Sequence, residues 1–164
     1  AAARDAEDRA KTQYDRNSLA VTIYKRSGEQ IRWGTKFTDA PFSLLAFLNR
    51  GDTYKPPVDN PGRAMPISGK FPYRICELMR VYEEYPDVSE KKTELTDNLH
   101  DIAQKEIDWT VNQLKAEGNG HAETFRALRE LVNNWLDCVH EQRGALSDFY
   151  NLFAVEAFIA RQGE

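Results

Sequence analysis

The sequence predicts a mainly α-helical protein: an up-down bundle of about four helices over residues 73–161, preceded by a small N-terminal β-hairpin and a long Pro-rich loop. Three observations lead there. Beyond residue 72, apolar side chains recur at helical spacing in four segments broken at Pro86, Gly118-Asn119-Gly120 and Gly144. Only residues 19–37 carry a β pattern, two β-prone runs on either side of Ser27-Gly28. A chain of 164 residues, 41% hydrophobic and 29% charged, can fill a core without disulfides or a metal.

Residues 1–18 form an expected exposed helical arm. Arg4–Asp8, Asp5–Arg9 and Glu7–Lys11 are i,i+4 pairs, and Tyr14 is the one large apolar residue, so the arm has no face to bury. Residues 19–161 then make one domain. In the hairpin, a left-handed Gly28 places Ile23 opposite Ile31, Val21 opposite Trp33 and Lys25 opposite Glu29. Val21, Ile23, Ile31 and Trp33 become the inner face; Thr22, Tyr24, Arg32 and Lys36 become the outer face, with Arg26 at the loop.

Thr38-Asp39-Ala40-Pro41 starts a short, mostly buried helix that Gly51 stops. Residues 52–72 follow with five prolines and no period, a loop long enough to suggest a functional or disordered role. In the bundle, residues 73–85 present Ile75, Leu78, Met79 and Tyr82. A long helix, capped at Asp87 or Ser89, runs to Glu117 with Leu95, Leu99, Ile102, Ile107, Val111 and Leu114 as its stripe. Residues 121–143 and 146–161 complete it, and short turns between them imply antiparallel neighbours.

Charge is unevenly spread. Residues 1–80 hold 14 Lys+Arg against 9 Asp+Glu, a net of +5, and the remainder carries −9. Such an imbalance concerns partners more than fold. The basic candidates are Tyr24, Arg26, Arg32, Lys36 and Arg63; Glu83, Glu84, Asp87, Glu90 and Glu94 crowd the Pro86 corner as their acidic counterpart. Interleaved bases and aromatics also suit single-stranded nucleic acid, which is the alternative reading.

Signatures of chemistry are absent. Gly62 and Gly69-Lys70 are too far apart for a phosphate loop, and no Gly-x-Ser-x-Gly or His-Glu-x-x-His occurs. Cys76 and Cys138 lack a metal or redox spacing and read as reduced thiols; with no N-glycosylation sequon, a cytoplasmic location is favoured. No run is long and apolar enough for a membrane span. Asp97-x-x-His100 and Asp137-x-x-His140 fall on consecutive antiparallel helices whose rings can approach, a weak metal candidate with its aspartates expected in water. Glu106 and Glu156 fall on apolar faces with Arg129 one turn away, and an unpaired buried carboxylate is costly, so a Glu106–Arg129–Glu156 network is expected in the core. No cofactor and no catalysis are expected. The resulting expectation is a non-enzymatic interaction or assembly protein that binds a partner protein or its own copies. The third alternative is an enzyme or metal carrier using the core carboxylates and histidines.

Overall fold

The computed structural model describes residues 2–49, 67–85, 91–117 and 122–162. Arg63, Asp87, Glu90, most of the Pro-rich loop and the Gly118–Gly120 break lie outside the described residues. The order of elements is α1 (Ala2–Thr12), β1 (Ser18–Tyr24), β2 (Gln30–Lys36), α2 (Ala40–Leu48), α3 (Phe71–Arg80), α4 (Asp97–Glu117), α5 (Ala122–Glu141) and α6 (Leu146–Gln162). The fold is mainly helical with one two-stranded antiparallel hairpin.

The hairpin pairs Val21 with Trp33 and Ile23 with Ile31, as the alternation predicts. Gly28 takes φ +88°, a conformation that a side chain would strain, and Lys25 meets Glu29 at 2.8 Å. Ile23, Ile31 and Trp33 are buried and anchor the sheet on the helices. Pro41 and Pro72 sit in the first turns of α2 and α3, where a missing N–H costs nothing.

α6 is the centre of the fold. Phe149 and Phe153 are fully buried, 5.3 Å apart, and Phe71 of α3 meets Phe153 edge-on at 6.2 Å. The most extensive helix pairs are α3 with α6 and α4 with α5, while α2 lies on α5 and α6.

Two elements differ from expectation. The N-terminal arm is a helix, but it docks on the hairpin. Arg9 is only 8% exposed, and its guanidinium donates to the Val21 carbonyl at 3.2 Å and to the Thr22 hydroxyl. The Tyr14 ring lies against Gly34, where any Cβ would overlap it. Asp15 and Arg16, at φ 62° and 64°, turn the chain back onto β1. The second difference is the start of α4, at Asp97 and not near residue 88. Residues 93–95 are extended because their backbone groups bond across to 144–146: Leu95 N–H reaches the Gly144 carbonyl at 3.1 Å, and Leu146 N–H reaches that of Thr93 at 2.8 Å. Thr96 then accepts the Leu99 N–H on its hydroxyl and caps the helix.

Candidate functional site

The outer face of the hairpin was the first candidate. Tyr24 is 53% exposed and Arg26 is exposed, so the tip stands clear. Further along, α1 and the turn after it bring acids to the bases. Asp5 lies 3.9 Å from Arg32, and Asp15 lies 3.6 Å from Lys36. Exposed pairs of this kind contribute little stability, but they cancel the local positive field that a polyanion would need.

The acidic corner is also partly committed to the fold. Glu83 accepts the Thr93 N–H at 3.2 Å on one oxygen and the Tyr150 hydroxyl at 2.9 Å on the other. Burial first, and the Glu83 carboxylate second, raise the Tyr150 phenol well above its ordinary pKa. Glu84 and Glu94 are exposed; the Glu84 N–H donates to the Thr93 hydroxyl at 2.7 Å, and Glu94 bridges to Ala145.

The Glu106–Arg129–Glu156 network does not form. Glu156 is fully buried and accepts an amide hydrogen of Asn49 at 2.6 Å, a partner with no signal in the helical pattern. Glu106 accepts the Tyr82 hydroxyl at 3.1 Å, and that bond raises the phenol's pKa. Arg129 is exposed on α5, outside the buried arc of Phe125, Leu128, Val132 and Leu136. It borders a cleft of about 240 Å³ beside Arg126 and Asn112. The reason is helical phase: Ala103, Ile107, Thr110 and Leu114 set the inner face of α4, which leaves Glu106 at its margin and Ile102 40% exposed.

The two histidines do meet. Their rings stack with centroids 4.4 Å apart and 29° between planes. The aspartates are exposed as expected, Asp97 at 97% and Asp137 at 46%, and each also bonds across the helix pair. His100 Nε2 lies 2.7 Å from Asp137, and His140 Nε2 lies 2.8 Å from Asp97. Each motif thus closes on the other, giving a reciprocal clasp between α4 and α5. Each Nε2 is engaged by an aspartate of the opposite helix. Among the described residues no group of three or more His, Cys, Asp or Glu side chains could hold a metal ion.

No protein-family model matches the sequence, and no characterised protein or solved structure proves similar to the chain. No helix among the described residues is long and apolar enough to cross a membrane. Both cysteines are free, and burial pushes both thiols above their usual pKa, away from the nucleophilic thiolate.

One surface was missed by pattern reading. Trp109 is 58% exposed, whereas Trp33 and Trp135 are 4% and 8% exposed. It stands two helical turns from Ile102 on the outer face of α4, with Lys105 between them. The periodic reading counts Ile102 in the buried stripe, where it is in fact 40% exposed, and passes over Trp109, which lies off that stripe.

Proposed function

We propose that the protein is a non-enzymatic interaction or assembly protein, and that the outer face of α4 is the surface that a second copy or a partner protein covers. The observation that carries this is the exposure of Trp109 and Ile102 on one face of one helix. Leaving a tryptophan in water forgoes on the order of 2 kcal/mol of burial, and tryptophan is among the commonest anchors of protein interfaces. Lys105 and Glu106 on the same face supply opposite charges, so two α4 helices packed antiparallel can pair them as Trp109 of one copy meets Ile102 of the other. The nucleic-acid reading is less favoured, because Asp5 and Asp15 stand beside Arg32 and Lys36.

Acrylamide quenching of tryptophan fluorescence tests the reading. Trp109 dominates the quenchable emission of the dilute chain, since the other two indoles are buried. Raising the protein concentration should blue-shift that emission and protect it, while Trp109→Ser removes the quenchable component. Emission that stays quenchable at every concentration overturns self-assembly and leaves a foreign partner as the occupant.

A further inference from the structure

A two-stranded sheet leaves one edge of each strand unpaired. The Lys25 N–H donates to Glu29 at 2.9 Å and the Phe37 N–H to Asn17 at 3.1 Å, which identifies 25/29 and 17/37 as hydrogen-bonded pairs. By alternation 19/35, 21/33 and 23/31 are bonded too, and Arg32 and Gly34 must turn their N–H and C=O groups to the outside. Among the described residues no hydrogen bond outside the ladder reaches the backbone of either.

A groove of about 440 Å³ runs beside these groups. One wall takes in every β2 residue from Arg32 to Lys36; a strand's face would contribute only alternate ones, so this wall is the edge. The other wall includes Trp135, Cys138 and Val139, spaced as one face of α5, and Gln142 just past its end. Unpaired backbone groups opposite a helix face are the geometry of strand addition. We propose that an extended segment of a partner protein binds here as a third strand on β2.

Two features fix the occupant's chemistry. Trp33 lines the same groove, and its indole N–H, in a side chain 4% exposed, has no hydrogen-bond partner among the described residues. Asp39, at the Lys36 end, accepts the Thr38 hydroxyl at 3.3 Å but has no Lys or Arg within ion-pairing distance among the described residues. The segment therefore carries an apolar side chain for Trp135 and Val139, and a Lys or Arg for Asp39. This surface is separate from the α4 face, so the failure of either proposal leaves the other standing.

The probe is an acetylated heptapeptide of alternating Val and Thr with one Thr replaced by Lys. It is compared with the same peptide N-methylated along the backbone and with a Lys-to-Glu version. Amide exchange and resonance shifts are read on ¹⁵N-labelled protein. In the free chain the Gly34 and Arg32 amides should exchange fast. The first peptide should slow them about tenfold or more and shift the Trp33 indole resonance; the N-methylated peptide should do neither, and the Glu version should bind more weakly. Arg32→Pro removes one outward N–H at a position where an edge strand tolerates proline, and should abolish binding. If that variant misfolds, the N-methyl contrast on the native chain still decides. Equal binding of both backbones, no shift at millimolar peptide, or slow Gly34 exchange without peptide overturns the proposal. Protection that grows with protein concentration alone means that copies pair edge to edge, and overturns it too.

Discussion

A carboxylate sealed from water must be given donors, and the identity of those donors decides which substitutions matter. Glu156 takes one from Asn49, whose amide also donates to the Leu45 carbonyl at 2.8 Å. Asn49→Ala therefore leaves a buried charge short of a donor and should cost about 2 kcal/mol in urea unfolding. Arg129→Ala should fall within about 0.5 kcal/mol of the parent, because the side chain is exposed and has no ion-pair partner among the described residues. Equal costs would restore the three-residue network. That Glu156 lies inside was legible from its place among Phe149, Phe153, Val155 and Ile159, whereas its donor was not. Asn49 is 107 residues away in sequence, and no periodicity links a helix C-terminus to a distant helix face.

Tyrosine ionisation gives a second test at this scale. Burial raises Tyr14 and Tyr150, and the Glu106 bond raises Tyr82. A raised pKa means that the folded state favours the neutral phenol. Its contribution is complete below the ordinary value near 10 and is lost as pH climbs toward the raised one. Stability should thus fall as pH rises above about 10, and Tyr150→Phe should flatten that fall. A stability curve flat through this range would contradict the Glu83–Tyr150 geometry.

At the scale of elements, the clasp between α4 and α5 predicts coupling. His100 and His140 touch each other and each other's neighbouring aspartate. A double-mutant cycle of His100→Ala with His140→Ala should therefore show about 0.5–1.5 kcal/mol of interaction, where independent residues would show none. The hairpin was the most legible element, since turn residue, register and buried face all follow from Gly28 and a period of two. α1 was misread because what docks it is not an apolar stripe. Arg9 lays a long stem on β1 and donates from one terminal nitrogen to Val21 and Thr22, and Gly34 is a seat for Tyr14. Thr96-Asp97 marked the true start of α4, yet the apolar Leu95 before it extended the apparent stripe; its burial comes from the bridge to residues 144–146.

α1 also carries a prediction that separates its two roles. Deleting residues 1–12 removes Arg9 and Asp5, and so uncovers Arg32. The truncated chain should be less stable, and it should bind a single-stranded oligonucleotide more tightly than the full chain, with an affinity falling steeply in log–log fashion with salt. Unchanged oligonucleotide affinity in a folded truncation would mean that α1 does not screen this face.

Across the whole molecule, the division into a basic and an acidic half does not become two facing surfaces. Lys25 and Arg80 both meet Glu29, while Asp5 and Asp15 neutralise the hairpin. Glu83 is occupied by Tyr150 and a backbone amide. Part of that charge is therefore met within the chain, and on the reading proposed above association falls to the outer face of α4. Sedimentation equilibrium over a wide concentration range, on the native chain and on Trp109→Ser, tests this most directly. The account predicts a mass that rises with concentration in the native chain and stays monomeric in the variant, at an unchanged unfolding midpoint. A mass that rises equally in both chains would contradict it, and a mass independent of concentration would overturn self-association and leave only a foreign partner for this face.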